Sequence, residues 1–118
     1  MIIAIVGFPG SGKSTLSKHY ESLKISVYPT DDYIGRWGFK EFPDKMIHTL
    51  ASRDTYVIEG VQVARMLRTG FRMGTWSPDM VIEMIGGDDT NPISRTVSSA
   101  MNDWKIESKK PYYSMRWK

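Results

Sequence analysis

Short runs of apolar residues alternate along the chain with stretches in which apolar side chains recur every three or four positions. The apolar runs predict strands at Ile2–Val6, Ile25–Tyr28, Thr55–Ile58 and Met80–Ile85, and the helical spacing between them predicts helices. Strands that alternate with helices are typical of a parallel α/β sheet with right-handed crossovers. The pattern therefore predicts four strands, with Tyr112–Met115 as a weak candidate for a fifth.

Helices are predicted over Lys13–Leu23, from Pro43 onward, over Val61–Thr69 and from Asn91 to Trp104. Gly70 would end the third of these helices, because glycine commonly follows the last helical residue. The stretch Gly70–Pro78 is rich in glycine and aromatic residues, and it is predicted to be a surface loop.

The length of 118 residues, with 41% apolar and 25% charged residues, fits one soluble domain that spans residues 1–118. The chain has no cysteine, which excludes disulfides, thiolate metal sites and a thiol nucleophile. No apolar run is long enough to span a membrane. The apolar stretch Met1–Val6 is too short for a signal peptide and lacks a basic leader, so a cytoplasmic location is expected.

The net charge of +3 comes from the C-terminal tail, Lys105–Lys118, which has five basic residues and one acidic residue. These basic residues alternate with Tyr112, Tyr113 and Trp117. Such a segment can follow a phosphate backbone and stack on bases, which would make nucleic acid a partner. Alternatively, the aromatic rings pack on the body of the protein while the lysines stay in solvent.

Residues 7–15 contain the pattern G-x-x-x-x-G-K-[ST] at positions 7–14, between a predicted buried strand and a predicted helix. In such a loop, glycines let backbone N–H groups surround a phosphate, and the helix N-terminus adds a positive dipole. Lys13 would reach the β- and γ-phosphates of ATP, and the Ser14 hydroxyl would bind Mg²⁺. The predicted nucleotide-binding residues are Gly7, Pro9, Gly10, Ser11, Gly12, Lys13, Ser14 and Thr15.

Two acidic segments follow predicted strands. Asp31 and Asp32, followed by Tyr33, come after the second strand, and Glu59 ends the third. Carboxylates at the carboxyl ends of parallel strands face the same crevice as the phosphate loop. There an aspartate can accept a proton from a hydroxyl, and Glu59 can serve Mg²⁺ or the substrate. The alternatives are an Asx turn for the aspartates and a surface position for Glu59.

The order and spacing of these three segments resemble the P-loop kinase family, closest to its uridine kinase and nicotinamide riboside kinase branch. That branch has an acidic D-x-[FY] segment after strand two and a hydrophobic-E-G segment after strand three. The resemblance implies that Asp31 is the general base, that Asp32 and Tyr33 line the acceptor site, and that Glu59 lies near the metal or the substrate. It implies a three-layer fold with four or five parallel strands. This chain departs from the family in having no clear apolar run for the fifth strand, so it looks pared down, as compact phage-encoded kinases can be.

Two arginines are further candidates. Arg95 faces away from the apolar stripe of its predicted helix, and in the family a lid arginine stabilises charge on the transferred phosphoryl group. Arg65 and Arg68 share a helix face and could meet an anionic substrate, although a solvated face is the more common role.

Three functions are consistent with these features. The first is an ATP- and Mg²⁺-dependent kinase that phosphorylates a hydroxyl of a nucleoside-like small molecule. The second is a kinase that acts on a hydroxyl in DNA, either a hydroxymethylated base or a 5′ end. The third is a nucleotide-binding regulator or an NTPase without an acceptor.

Overall fold

A parallel five-stranded sheet runs through the computed structural model, which describes residues 1–8, 13–86, 98–104, 108 and 110–116. The strands are β1 (Ile2–Gly7), β2 (Val27–Pro29), β3 (Tyr56–Glu59), β4 (Met80–Ile85) and β5 (Tyr112–Arg116). They lie in the order β2-β3-β1-β4-β5, and each neighbouring pair is parallel. The predicted parallel α/β sheet is confirmed.

Helices connect the strands on both sides of this sheet. They are α1 (Lys13–Ser22), α2 (Ile34–Trp37), α3 (Phe42–Leu50) and α4 (Val63–Met73), with a 3₁₀ turn at Thr30–Asp32. Residues 98–104 are also helical, while the predicted start of that helix at Asn91 lies outside the described residues. Within the described ranges, no helix has both the length and the apolar character that a membrane span requires.

Strand β1 is buried between two cores because its side chains alternate between the faces of the sheet. Ala4 and Val6 pack on the side of α3, α4 and the 98–104 helix. Ile3 and Ile5 pack on the opposite side with α1. Helices on both faces of a parallel sheet explain why the first strand is a continuous apolar run.

The tail supplies the fifth strand, which pairs with β4 from Val81↔Tyr112 to Ile85↔Arg116. Tyr112 packs against the core, whereas Tyr113 is 55% exposed. An edge strand with one face in solvent needs apolar residues only at alternate positions, so no continuous apolar run marks it. Residues 105–107, 109 and 117–118 of the tail lie outside the described part of the chain.

The segment after Thr69 differs from the prediction, because α4 continues past Gly70 to Met73. Gly70 is buried, and a Cβ there would lie 2.5 Å from the carbonyl oxygen of Trp76. The helix ends instead at Gly74, whose φ of 66° is left-handed. Trp76 is only 8% exposed, so the predicted surface loop is partly core. Gly70 permits close packing and does not cap the helix.

Candidate active site

The carboxyl ends of β1, β2 and β3 meet at one edge of the sheet, here called the carboxyl edge. Glu59 is in register with Ile5 of β1 on one side and with Pro29 of β2 on the other. Each of the three predicted motifs therefore begins or ends at this edge. Because β1 lies between β3 and β4, where the connections diverge to the two sides of the sheet, the edge is also a topological switch point.

Lys13 is the first residue of α1 and is buried, with 8% of its surface exposed. Its Nζ donates a hydrogen bond of 2.8 Å to the carbonyl oxygen of Phe8, which follows β1. Burial lowers the pKa of the Lys13 ammonium below 10.5, and the negative charges of Glu59 and Asp31 partly offset this effect. The side chain is thus folded back over the beginning of the loop and lies within the electrostatic reach of both carboxylates.

Glu59 is the last residue of β3 and is 6% exposed. Burial raises the pKa of its carboxyl above 4.5, and the charge of Lys13 opposes that increase. The negative charges of Asp31 and Asp32 raise this pKa further. The lysine and the three carboxylates, which the sequence places in separate segments, therefore form one electrostatic cluster.

Asp31 and Asp32 lie on the 3₁₀ turn directly after β2, and both are exposed. The turn is closed by a hydrogen bond of 3.0 Å from the backbone N–H of Tyr33 to the carbonyl oxygen of Thr30. Tyr33 is half-buried, and its ring stacks on Trp37 at a centroid distance of 6.4 Å. The predicted acceptor-side residues thus present two accessible carboxylates beside an aromatic wall.

Gly60 and Thr30 form a contact that the sequence analysis missed. Gly60 has a φ of 138°, and a Cβ there would lie 1.8 Å from Thr30 Oγ1. The Thr30 hydroxyl is fully buried and has no hydrogen-bond partner among the described residues. In the Glu59–Gly60 pair, the sequence pattern points to the carboxylate alone. The structure shows that Gly60 also lets the backbone after β3 approach the turn after β2.

The structure separates the two arginines that the sequence grouped together. Arg65, in the first turn of α4, donates a hydrogen bond of 2.9 Å to Gln62 Oε1, and its guanidinium lies 3.7 Å from the ring centroid of Phe39. Arg68 instead pairs with Asp103 at 3.2 Å and with Ser99 Oγ at 2.6 Å. Arg68 therefore contacts the 98–104 helix, whereas Arg65 contacts Phe39. The substrate contact predicted for the two arginines stays a prediction.

The structure does not test the roles of several predicted site residues. Pro9, Gly10, Ser11, Gly12 and Arg95 lie outside the described residues. Gly7 is the buried last residue of β1, and Ser14 and Thr15 lie in the first turn of α1, with Thr15 exposed. The roles predicted for all of these residues stay predictions.

The donor set at the carboxyl edge fits Mg²⁺ bound with a nucleotide. Among the described residues, no three His, Cys, Asp or Glu side chains gather in a group that could hold a metal ion. Mg²⁺ typically binds proteins through one or two carboxylates, with phosphate oxygens and water completing its shell. Glu59, a buried carboxylate beside the lysine of the phosphate loop, suits that partial role.

Solved structures of P-loop kinases are similar to this chain over nearly its full length. A gluconokinase from Sinorhizobium meliloti has a TM-score of 0.60 at 14% identity, and covers 98% of this chain and 83% of its own. Shikimate kinase from Aquifex aeolicus has a TM-score of 0.58 at 19% identity, with 98% and 85% covered. Deoxyadenosine kinase from M. mycoides, solved with bound dATP, has a TM-score of 0.57 at 12% identity, with 98% and 91% covered. The chain has the P-loop kinase fold.

One curated protein is similar to the chain in sequence. The GTPase Obg of Amoebophilus asiaticus is 30% identical over 108 residues, which make up 90% of this chain and 32% of that protein. The chain thus spans about a third of the length of this curated relative. No protein-family model matches the chain.

Proposed function

We propose that this protein is an ATP-dependent phosphotransferase that moves the γ-phosphate of ATP to a hydroxyl group of a small molecule. One observation carries the proposal: Lys13 and Glu59 are both buried at the carboxyl edge, with the exposed carboxylates of Asp31 and Asp32 beside them. A binding site for ATP needs the lysine, whereas the accessible aspartates suit a second reactant.

The nucleotide would be held by the loop that joins β1 to α1. Lys13 and the backbone N–H groups of residues 9–13 would contact the phosphates, and Arg95 would stabilise the charge on the migrating phosphoryl group. Ser14 and Glu59 would hold Mg²⁺, which neutralises charge on the β- and γ-phosphates when bound. Phe8 accepts the Lys13 hydrogen bond in the structure, and the phosphate oxygens would compete with that carbonyl.

The acceptor would enter over the turn that follows β2. Its hydroxyl oxygen forms a bond to the γ-phosphorus as the bond from that phosphorus to the bridging oxygen of ADP breaks, and the hydroxyl proton passes to the Asp31 carboxylate. Asp32 and Tyr33 would position the rest of the acceptor. An exposed carboxylate suits this role because it can reach a substrate and then release its proton to water.

The motif pattern favours a nucleoside-like acceptor, as in the uridine kinase and nicotinamide riboside kinase branch and in compact phage-encoded members. The solved neighbours are named for shikimate, deoxyadenosine and gluconate, so small hydroxyl compounds are the first acceptors to test. The DNA alternative rests on the basic tail, of which Tyr112–Arg116 is a strand of the sheet. That placement leaves fewer tail residues for DNA and favours the small molecule.

The test is transfer of radiolabelled γ-phosphate from Mg·ATP to pools of nucleosides, sugar acids and duplex DNA with hydroxymethylated bases. Asp31→Asn should abolish transfer and retain ATP binding, whereas Asp44→Asn, at an exposed position in the first turn of α3, should behave as wild type. Unchanged transfer by Asp31→Asn would remove this residue from the mechanism. Hydrolysis of ATP with no labelled acceptor would favour the NTPase or regulator.

A further inference from the structure

Two guanidinium groups near the carboxyl edge rest on aromatic rings and have no carboxylate partner within the described ranges. Arg65 lies 3.7 Å from the ring centroid of Phe39, and Arg36 lies 4.6 Å from that of Tyr33. Among the described residues, the neighbouring arginine that forms a salt bridge is Arg68, whose partner is Asp103. A ring face holds a guanidinium in place without neutralising its charge, so both groups remain able to bind an anion.

The position of Arg65 on α4 directs it to the acceptor side. Helix α4 begins just after β3 ends at the carboxyl edge, and it returns to the opposite edge before β4 starts. Arg65 is in its first turn, whereas Arg72 is two turns further along. Phe39 belongs to the segment between β2 and α3, which also contains Tyr33. The contact of Arg65 with Phe39 thus joins the residues that follow β2 to those that follow β3.

The hydrogen bonding of Arg65 is incomplete in a way that suits a ligand. Gln62 is 7% exposed, and its Oε1 accepts from Nη1 of Arg65. That bond uses one of the five N–H donors of the guanidinium and fixes its orientation. Arg65 itself is half-buried, which makes an oxyanion bound to its remaining donors less exposed to competition from water.

We infer that the acceptor carries an anionic group, a phosphate or a carboxylate, apart from the hydroxyl that is phosphorylated, and that Arg65 binds this anion. The inference rests on the proposed function and narrows its acceptor to hydroxyl compounds with a separate negative charge. Arg36, which is exposed on the same side, would add a second and weaker contact. A neutral nucleoside would leave the Arg65 guanidinium without a counter-charge.

The test measures binding and does not need transfer. Protein saturated with Mg·ADP, which occupies the phosphate loop, is titrated with thymidine 5′-monophosphate against thymidine and with gluconate against glucose. The arginine Nε–Hε signals are followed by NMR, and the Arg65 signal is identified by its loss in Arg65→Gln. The first pair of compounds reports on phosphate, and the second reports on carboxylate.

We expect at least one anion to shift the Arg65 signal saturably and its neutral counterpart to leave it unmoved. Arg65→Gln should lower the affinity for that anion about tenfold or more. Arg65→Lys should lower the affinity less, because lysine keeps the charge but loses the planar fork. Arg72→Gln, on the same helix, should bind as wild type. Thermal unfolding of each variant checks that its fold is retained.

Three results would overturn the inference: equal binding of a neutral compound, full affinity in Arg65→Gln, or no movement of the Arg65 signal by either anion up to about 10 mM. Transfer assays distinguish this failure from failure of the proposed function. Transfer to neutral acceptors alone would leave the kinase proposal in place and remove the anion site. Anion binding at Arg65 without transfer to any acceptor would leave the anion site in place and contradict the kinase proposal.

Discussion

Burial penalises the charges of Lys13 and Glu59 at the same time, and each charge offsets part of the penalty on the other. The pKa of the lysine is lowered and that of the glutamate is raised, so burial outweighs the attraction at both positions. A protein that only had to fold would gain from neutral groups there. The cost is consistent with a site whose charges serve a bound nucleotide and metal.

Glu59→Gln should therefore make the protein more stable at neutral pH and less active. A carboxyl whose pKa is raised on folding contributes stability below its ordinary pKa of 4.5, and that contribution is lost as pH rises through the raised value. The thermal midpoint of Glu59→Gln should exceed that of wild type at neutral pH, and the difference should shrink as the pH approaches 4.5. Scanning calorimetry across this range measures it.

The same substitution should raise the Mg²⁺ concentration needed for half-maximal transfer, because one ligand oxygen loses its charge. Glu21→Gln, on the exposed side of α1, is the matched control and should change neither quantity. A Glu59→Gln protein that is less stable than wild type at neutral pH would contradict the burial argument.

Gly60→Ala should destabilise the protein by about 2–4 kcal/mol, because the new Cβ meets Thr30 Oγ1 at a positive φ. Gly35→Ala is the control, since nothing lies within 4 Å of a Cβ there. Urea unfolding of both variants gives the comparison. Adding Thr30→Ala to Gly60→Ala should recover part of the loss, because it removes the nearest atom. Equal stability of Gly60→Ala and Gly35→Ala would show that the turn after β2 can move away from the new Cβ at no cost in free energy.

Tyr56→Phe should cost about 1–3 kcal/mol, because it leaves the buried indole N–H of Trp76 without its acceptor. That N–H donates to the Tyr56 hydroxyl at 2.8 Å, and Tyr56 is 1% exposed. Tyr113→Phe, on the exposed face of β5, should have no measurable effect on urea unfolding. A Tyr56→Phe protein as stable as wild type would mean that water or a shifted side chain satisfies Trp76.

Arg68→Gln should lower stability by less than about 1 kcal/mol, because its partner Asp103 is 46% exposed and solvent screens the pair. The loss of transfer rate, expressed as an activation free energy, should be larger than the loss of unfolding free energy. The pair holds the 98–104 helix, which follows the segment that contains Arg95, so transfer should slow while ATP affinity stays unchanged. Arg72→Gln, measured alongside, should match wild type in both assays.

The sequence predicts the fold correctly where a local pattern of residues determines the structure. Strand β4 runs over Met80–Ile85, as its apolar run predicts, and the phosphate loop motif placed Lys13 correctly at the start of α1. The carboxyl ends of parallel strands then brought Asp31 and Glu59 to one edge by topology alone.

The features that the sequence did not predict depend on contacts between distant residues. Helical spacing puts Arg65 and Arg68 on one face, but Arg68 is paired by Asp103 from a helix 30 or more positions later, which no local pattern shows. Gly70 was interpreted through its own conformational preference, whereas Trp76 determines its role. Strand β5 lacks an apolar run, and of its described side chains Tyr112 packs on the core whereas Tyr113 and Ser114 are exposed.

The central strand of the sheet is also the first to be synthesised among the five. Ile3 of β1 pairs with Val57 and with Met80, so this apolar run has no partner strand until about half of the chain has followed it, and no second partner until β4. Closing such long loops costs entropy before any pairing compensates, which makes folding slow and leaves β1 open to association with other chains meanwhile. The central position of β1 thus delays assembly of the carboxyl edge, where the proposed nucleotide site lies, until β3 and β4 are present.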